Sequence, residues 1–380
     1  MNKKIGILTY HKSINYGSVL QAWALQKVLQ QYGYNVEIID YEPLSYKEQY
    51  SLYAPLSNVK NLCKNILRIP INKYKKRQVQ FFSQFRNNEL NISKEFFTYN
   101  TFTKGIENAY DCIICGSDQI WNVHAKDCDD VFFLPNIQTK KIAYAVSINN
   151  TDFSETRCND DMKSWIKDFQ FLSCRETTGS EKIYNFIDKE KQVYSTLDPT
   201  LLHYQSDYNE IVSPRIIENQ YVFLYKVWSG MDGFKMAANL GRRLKMPVYT
   251  LLLAKSVLRL VRIEKNGIKV IKKETSPKDY LSLIKYASYV MTDSFHGTAF
   301  SLVFEKPIVC VKEKRQDGSE KQDERIMCLL QFVGLEDRYI PINNINSLNL
   351  EKKIDYTTIT AKRIEKAKED INLLISAIEM

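Results

Sequence analysis

His296 stands where an apolar strand gives way to a helix, in Val290-Met291-Thr292-Asp293-Ser294-Phe295-His296-Gly297-Thr298-Ala299-Phe300. The first amides of such a helix have no partner within it, and the helix dipole is positive there. The turn therefore favours an anion. An imidazole beside it can move protons near neutral pH, its reference pKa being about 6.5. The alternative is a histidine that merely packs the helix start. Of the four histidines, His11, His124, His203 and His296, we read the last as functional.

Three further turns carry suitable groups. The loop Tyr10-His11-Lys12-Ser13-Ile14-Asn15-Tyr16-Gly17-Ser18 joins a strand to a helix, and Asn15, Tyr16, Gly17 and Ser18 could meet an anion or a sugar. It lacks G-x-G-x-x-G, which argues against a dinucleotide, and the chain has no Walker A motif. The turn Cys115-Gly116-Ser117-Asp118-Gln119-Ile120-Trp121-Asn122 offers Asp118, Gln119 and Asn122 to sugar hydroxyls and Trp121 to a sugar face. A capped turn with a packed tryptophan is its other reading. Arg175, in Ser173-Cys174-Arg175-Glu176, could grip a carboxylate or phosphate in a fork. On the residues alone, a salt bridge with Glu176 or another acid is the simpler reading. Cys112 and Cys115 form a CxxC inside an apolar strand, without a second ligand pair, and read as core.

These turns need a scaffold, and the hydrophobic periods supply one. Residues 3–9 read as a strand, Ser18 as the cap of a helix with an apolar stripe, and residues 35–41 as a second strand. Two parallel strands joined by a helix imply a doubly wound sheet with ligands at its carboxyl edge. Residues 44–108 read as a basic, helical insertion with little strand signal. The α/β rhythm resumes from 110 to 205, and a polar stretch at 206–219 reads as a linker. A second α/β set follows to about 357, then an amphipathic helix at 358–380 expected to pack back on the first domain. The expected fold class is α/β, with two Rossmann-like domains facing a cleft and a C-terminal helix.

The composition agrees with a two-domain globular protein: 380 residues, 44% hydrophobic and 26% charged. No run approaches the roughly 20 apolar residues of a membrane span, and the start does not resemble a signal peptide. A cytoplasmic location is expected. Of the net charge of +9, eight basic residues fall between Asn58 and Asn88 without an acid: Lys60, Lys64, Arg68, Lys73, Lys75, Lys76, Arg77 and Arg86. No nucleic-acid module accompanies them. Docking on an anionic membrane is the preferred reading, a solvated helix face the plain one.

Together these segments resemble the polysaccharide pyruvyl transferase family. The likeness runs from about residue 4 to 340 and includes Asn15 to Ala22, Tyr110 to Asn122, residues 141–145, Ser173 to Glu176, Asp198-Pro199-Thr200 and Thr292 to Phe300. It implies a GT-B-like fold and transfer of a pyruvyl group from phosphoenolpyruvate to two hydroxyls of a sugar. The product is a cyclic ketal, on a lipid-linked precursor of capsule, exopolysaccharide or cell-wall polymer. No cofactor or metal is implied. By position, His296 is similar to the family's catalytic histidine and Arg175 to its phosphoenolpyruvate-gripping arginine, with Ser294, Phe295, Gly297 and Thr298 around the anion. The family carries an arginine where this chain has Ser294 and often an aspartate where it has Ser18. Lys312, Lys314, Arg315 and Arg325 are the candidates to replace that arginine. A GT-B glycosyltransferase using a nucleotide sugar is the alternative function.

Overall fold

A computed structural model describes residues 3–42, 59–96, 98–125, 127–226, 230–252, 257–314, 320–342 and 344–380. The chain divides into two compact units. The first comprises Met1–Tyr50, Arg86–His203 and Arg363–Met380, the second Ser51–Phe85 and Tyr204–Lys362.

Short apolar runs make the strands of the first unit: β1 Lys4–Leu8, β2 Asn35–Tyr41, β3 Ile92–Phe96, β4 Cys112–Cys115, β5 Lys140–Val146, β6 Phe171–Cys174 and β7 Val193–Ser195. They form a parallel sheet in the order β3-β2-β1-β4-β5-β6-β7. β4 and β6 are buried along their whole length, as expected of strands covered on both faces. The second unit repeats the plan with β8 Val222–Tyr225, β9 Val248–Leu251, β10 Ile268–Ile271, β11 Tyr289–Thr292, β12 Ile308–Lys314, β13 Glu320–Lys321 and β14 Tyr339–Pro341. Its order is β10-β9-β8-β11-β12-β13, with β14 also on β12. Only the β12–β13 pairing is antiparallel among the described residues.

In chain order the helices are α1 Tyr16–Gln31, α2 Val59–Glu89, α3 Tyr99–Ile106, α4 Asp160–Lys167, α5 Thr177–Phe186, α6 Asp232–Leu244, α7 Val257–Lys265, α8 Pro277–Lys285, α9 Phe295–Val303, α10 Glu324–Val333 and α11 Tyr356–Glu379. Each sheet reverses its strand order once, between β1 and β4 and between β8 and β11. Such switch points open a crevice at the carboxyl ends of the strands.

Several expectations change. Helix α1 starts earlier than predicted: Asn15, not Ser18, is its cap, its side chain accepting the Gly17 amide. Strand β3 was not foreseen. Residues 51–85, read as an insertion in the first domain, belong to the second unit, where buried Ile71 joins the core with Val222, Leu224 and Met291. The unit boundary falls at His203–Tyr204 rather than within 206–219. The last helix, expected at 358–380, spans Tyr356–Glu379; its first turns, through Lys362, belong to the second unit, and from Arg363 onward it belongs to the first. Asp370 accepts the Leu197 amide at 2.8 Å, and Arg363 donates to the carbonyls of Leu201 and His203 at 2.6 and 2.7 Å.

Candidate active site

The described groups gather at the two switch points. In the second unit β8 and β11 run side by side, with Thr292 opposite Tyr225. One residue further along each strand, Lys226 and Asp293 meet at 2.9 Å, their side chains 4% and 3% exposed. The Thr292 hydroxyl donates to the Tyr225 carbonyl at 2.7 Å and accepts the Ser294 amide at 3.0 Å. The chain is thereby turned out of the strand and into α9. Ser294 caps that helix, accepting the Gly297 amide at 3.4 Å, and its carbonyl receives the Thr298 hydroxyl at 3.0 Å. Gly297 is needed for space, since a Cβ there would come within 2.3 Å of Thr292 Oγ1. His296 is buried and meets the edge of Phe295 with ring centroids 5.3 Å apart.

Each residue of Thr292–Thr298 therefore has a local reason, and the outcome is an imidazole fixed at a helix start. The basic residues considered for the missing arginine fare differently. Arg325 is buried, its Nε and Nη2 both donating to Asp323, the cap of α10. Its fork faces a carboxylate of its own turn, which argues against Arg325 as the replacement. Lys312 lies over the Tyr339 ring at 5.3 Å. Lys314 closes β12, but its side chain and the whole of Arg315 lie outside the described residues.

The first unit holds a buried polar network at β1 and β4. Ser18 donates to Asp118, which also accepts the Gln119 amide at 2.8 Å. Arg175 Nη1 donates to Asp198 at 2.9 Å, and its Nη2 lies 3.6 Å from Asp118. Asp198 in turn accepts the hydroxyls of Ser117 and Thr200 at 2.9 and 2.7 Å. Gln21, Thr9 and Ser117 close the network, Gln21 donating to the Thr9 hydroxyl at 2.8 Å and accepting the Ser117 amide at 3.2 Å. Pairing of most of these buried polar atoms is what burial requires. Of the acids considered for Arg175, Asp198 is the one that pairs with it, while Glu176 accepts from Ser147 and Cys174.

Ser18, Asp118 and Arg175 are thus brought together, whereas His296 with its turn lies in the other unit. Trp121 has to be corrected. It is 1% exposed, stacks on Phe133 at 5.2 Å and donates its indole N–H to the Phe132 carbonyl at 3.0 Å, so no face remains for a sugar. Tyr16, Ser18, Asp118 and Asn122 are buried too, as is Gly17. Asn122 donates to Gln119 at 2.9 Å and accepts the His124 amide at 3.1 Å. Of the predicted acceptor-binding residues, Asn15 is exposed and Gln119 half-buried. The sequence reading missed Lys226, Asp293 and Asp198. A charged residue directly after an apolar strand was the available signal for Lys226 and Asp293, but not for their partners, and Asp198, three residues beyond β7, carried no such signal.

Two parallel sheets with polar turns at their switch points define a GT-B-like protein built of Rossmann-like units. Solved structures of that kind resemble it throughout. UDP-GlcNAc 2-epimerase from Methanocaldococcus jannaschii is 10% identical, with 99% of this chain and 100% of that one covered and a TM-score of 0.57. The S. aureus MnaA–UDP structure is 12% identical, covering 97% and 91%, with a TM-score of 0.52. At such identities the likeness concerns the fold alone. No curated protein sequence matches the chain. The model of the polysaccharide pyruvyl transferase family matches residues 15–315. The chain belongs to that family of transferases.

Proposed function

We propose that the protein transfers the pyruvyl group of phosphoenolpyruvate to two hydroxyls of a sugar, forming a ketal and releasing phosphate. The observation that carries this reading is the family match over residues 15–315, with His296 inside it at the start of α9. The chemistry suits that turn. The methylene carbon of phosphoenolpyruvate takes a proton, one hydroxyl oxygen adds to C2, and the C2–O bond breaks with its electron pair leaving on phosphate. The second hydroxyl oxygen then closes the ring. Of the two hydroxyl protons, one balances that added to carbon and the other leaves with phosphate.

In this proposal His296 moves the proton, and the amides of Phe295 and His296 face the anionic groups, those of Gly297 and Thr298 being taken by Ser294. Arg175 is assigned to phosphoenolpyruvate by family position, although here its Nη1 is held by Asp198. Lys314 and Arg315 are kept as candidates for the second cation, and Asn15 and Gln119 for acceptor contacts. The acceptor is taken to be a lipid-linked precursor of capsule, exopolysaccharide or cell-wall polymer, met at the cytoplasmic face of an anionic membrane. The exposed residues Leu62, Ile66 and Ile69 among the basic residues of α2 support that last point.

The test is phosphate release from phosphoenolpyruvate with candidate glycans, together with mass spectrometry for one added ketal. A general acid–base residue contributes about 10²–10⁴-fold. His296→Gln should therefore lower kcat by about that factor and leave the KM for phosphoenolpyruvate within a few-fold. Wild-type turnover in that variant would remove His296 from the mechanism. Stabilisation by UDP- or GDP-sugars and not by phosphoenolpyruvate would favour glycosyl transfer instead.

A further inference from the structure

The loop between β4 and β5, having hidden Trp121, opens a cavity of about 470 Å³ on the first unit. Its wall includes Tyr99, Asp129, Asp130, Asn136, Arg157 and Trp165. The volume falls within the roughly 300–1,000 Å³ usual for small-molecule sites. Trp165 and Tyr99 are half-buried, so each brings an aromatic surface to the wall. Both are anchored: Trp165 packs on Phe133 at 6.3 Å and Tyr99 donates its hydroxyl to the Pro135 carbonyl.

The polar groups are arranged with equal economy. Asp129 is held from two sides, accepting the Val131 amide at 3.0 Å and the Tyr41 hydroxyl at 3.2 Å. The guanidinium of Arg157 donates to the carbonyls of Val123 and Cys128 at 2.9 and 3.3 Å, which fixes the loop. Asp130 and Asn136 are exposed, and Asn136 is held in the left-handed region at φ 57°. Two carboxylates against one guanidinium leave the described wall net negative. It is therefore ill suited to a phosphate, a nucleotide or a uronic acid. Aromatic surface combined with carboxylate and amide acceptors suits a ligand with apolar C–H faces and many hydroxyl donors.

We infer that this cavity binds neutral sugar residues, as a subsite separate from the turns at the two switch points. Within the proposed function, on which the choice of a saccharide partly rests, it would hold an acceptor glycan by a unit that does not react.

Calorimetry on the full-length protein with neutral di- and trisaccharides of hexoses and N-acetylhexosamines, and with their uronic-acid counterparts, tests the inference. At least one neutral saccharide should bind more tightly than its acidic counterpart. Trp165→Ala should weaken it by about tenfold or more, the equivalent of about 1.4 kcal/mol. Since Trp165 also packs inward, Asp130→Asn and Asn136→Gly, which keeps the left-handed backbone, serve as surface variants, each expected to weaken binding several-fold. No saccharide binding, preference for the acidic sugars, or unchanged affinity in all three variants would overturn the subsite. Binding that is lost in the variants, with no ketal formed on any acceptor, would overturn the proposed reaction and leave the subsite standing. Ketal formation with an acceptor KM unmoved by all three substitutions would do the reverse.

Discussion

The pair Lys226–Asp293 shows how strongly a single residue can hold the His296 turn. Both side chains are almost wholly out of water, so each charge helps to hold the other there. Removing one partner of a buried pair typically costs about 3–5 kcal/mol, whereas replacing both by apolar residues is often neutral. Lys226→Met should therefore lower the unfolding free energy by about that amount in denaturant titration, and Lys226→Met with Asp293→Leu should recover most of it. A single variant as stable as wild type would show that the pair does not secure the turn. Gly297→Ala acts by sterics instead. Its Cβ would lie 2.3 Å from Thr292 Oγ1, and overpacking of this kind costs about 1–3 kcal/mol. Breaking the Thr292–Tyr225 link would also displace His296, so kcat should fall more than stability alone explains.

At the scale of the element, the turn after β1 is tied to the end of β2 by charge. His11 Nε2 faces Asp40 at 2.8 Å, Lys12 Nζ reaches Asp40 at 2.9 Å, and Lys12 also pairs with Glu95 of β3. Burial pushes the Asp40 carboxyl up, but hydrogen bonds and charge from His11 and Lys12 outweigh it and hold it below the usual carboxylate range. A carboxyl lowered in the folded state stabilises above its unfolded pKa, about 3.9, and loses that contribution as pH falls through the lower folded value. Asp40→Asn should therefore reduce stability at pH 6 and flatten its loss below about pH 4. Equal acid sensitivity in both proteins would exclude this pair as a contributor. The same edge shows what the sequence could reveal. β1 and β2 are rich in apolar residues with turn residues beyond them, and their expected positions, 3–9 and 35–41, were legible to within one residue. β3 was not, because Ile92-Ser93-Lys94-Glu95-Phe96 at the sheet edge has half-buried and exposed positions and no continuous apolar run. The residues of the two switch points were legible as polar turns. Their pairings were not, since Asp118 with Ser18, Arg175 with Asp198 and Lys226 with Asp293 join positions between 23 and 100 residues apart.

At the scale of the whole molecule, the net charge of +9 is concentrated on α2, and the structure adds an apolar component to it. Leu62, Ile66 and Ile69, at 49%, 56% and 57% exposure, follow a spacing of four and three residues and so share one helix face. On the same unit α7 exposes Leu258 and Val261 beside Arg262, and Val257 and Leu260 of α7 pack on the core cluster that includes Ile71. No helix among the described residues is long and apolar enough to cross a membrane. Under the proposed function, exposed apolar side chains amid basic ones would let α2 lie in a lipid interface. Each basic residue near an anionic surface contributes about 1 kcal/mol, an attraction that salt screens, and buried apolar area adds to it without such screening. The two contributions can therefore be separated in one experiment. Vesicles containing phosphatidylserine should co-sediment the protein, and Lys73→Gln, Lys75→Gln and Lys76→Gln together should weaken partitioning by roughly a hundredfold at low salt and much less at high salt. Ile66→Ser with Ile69→Ser should weaken it equally at both. Binding that ignores anionic lipid, or that neither set of substitutions alters, would leave the charge of α2 as a solvated face.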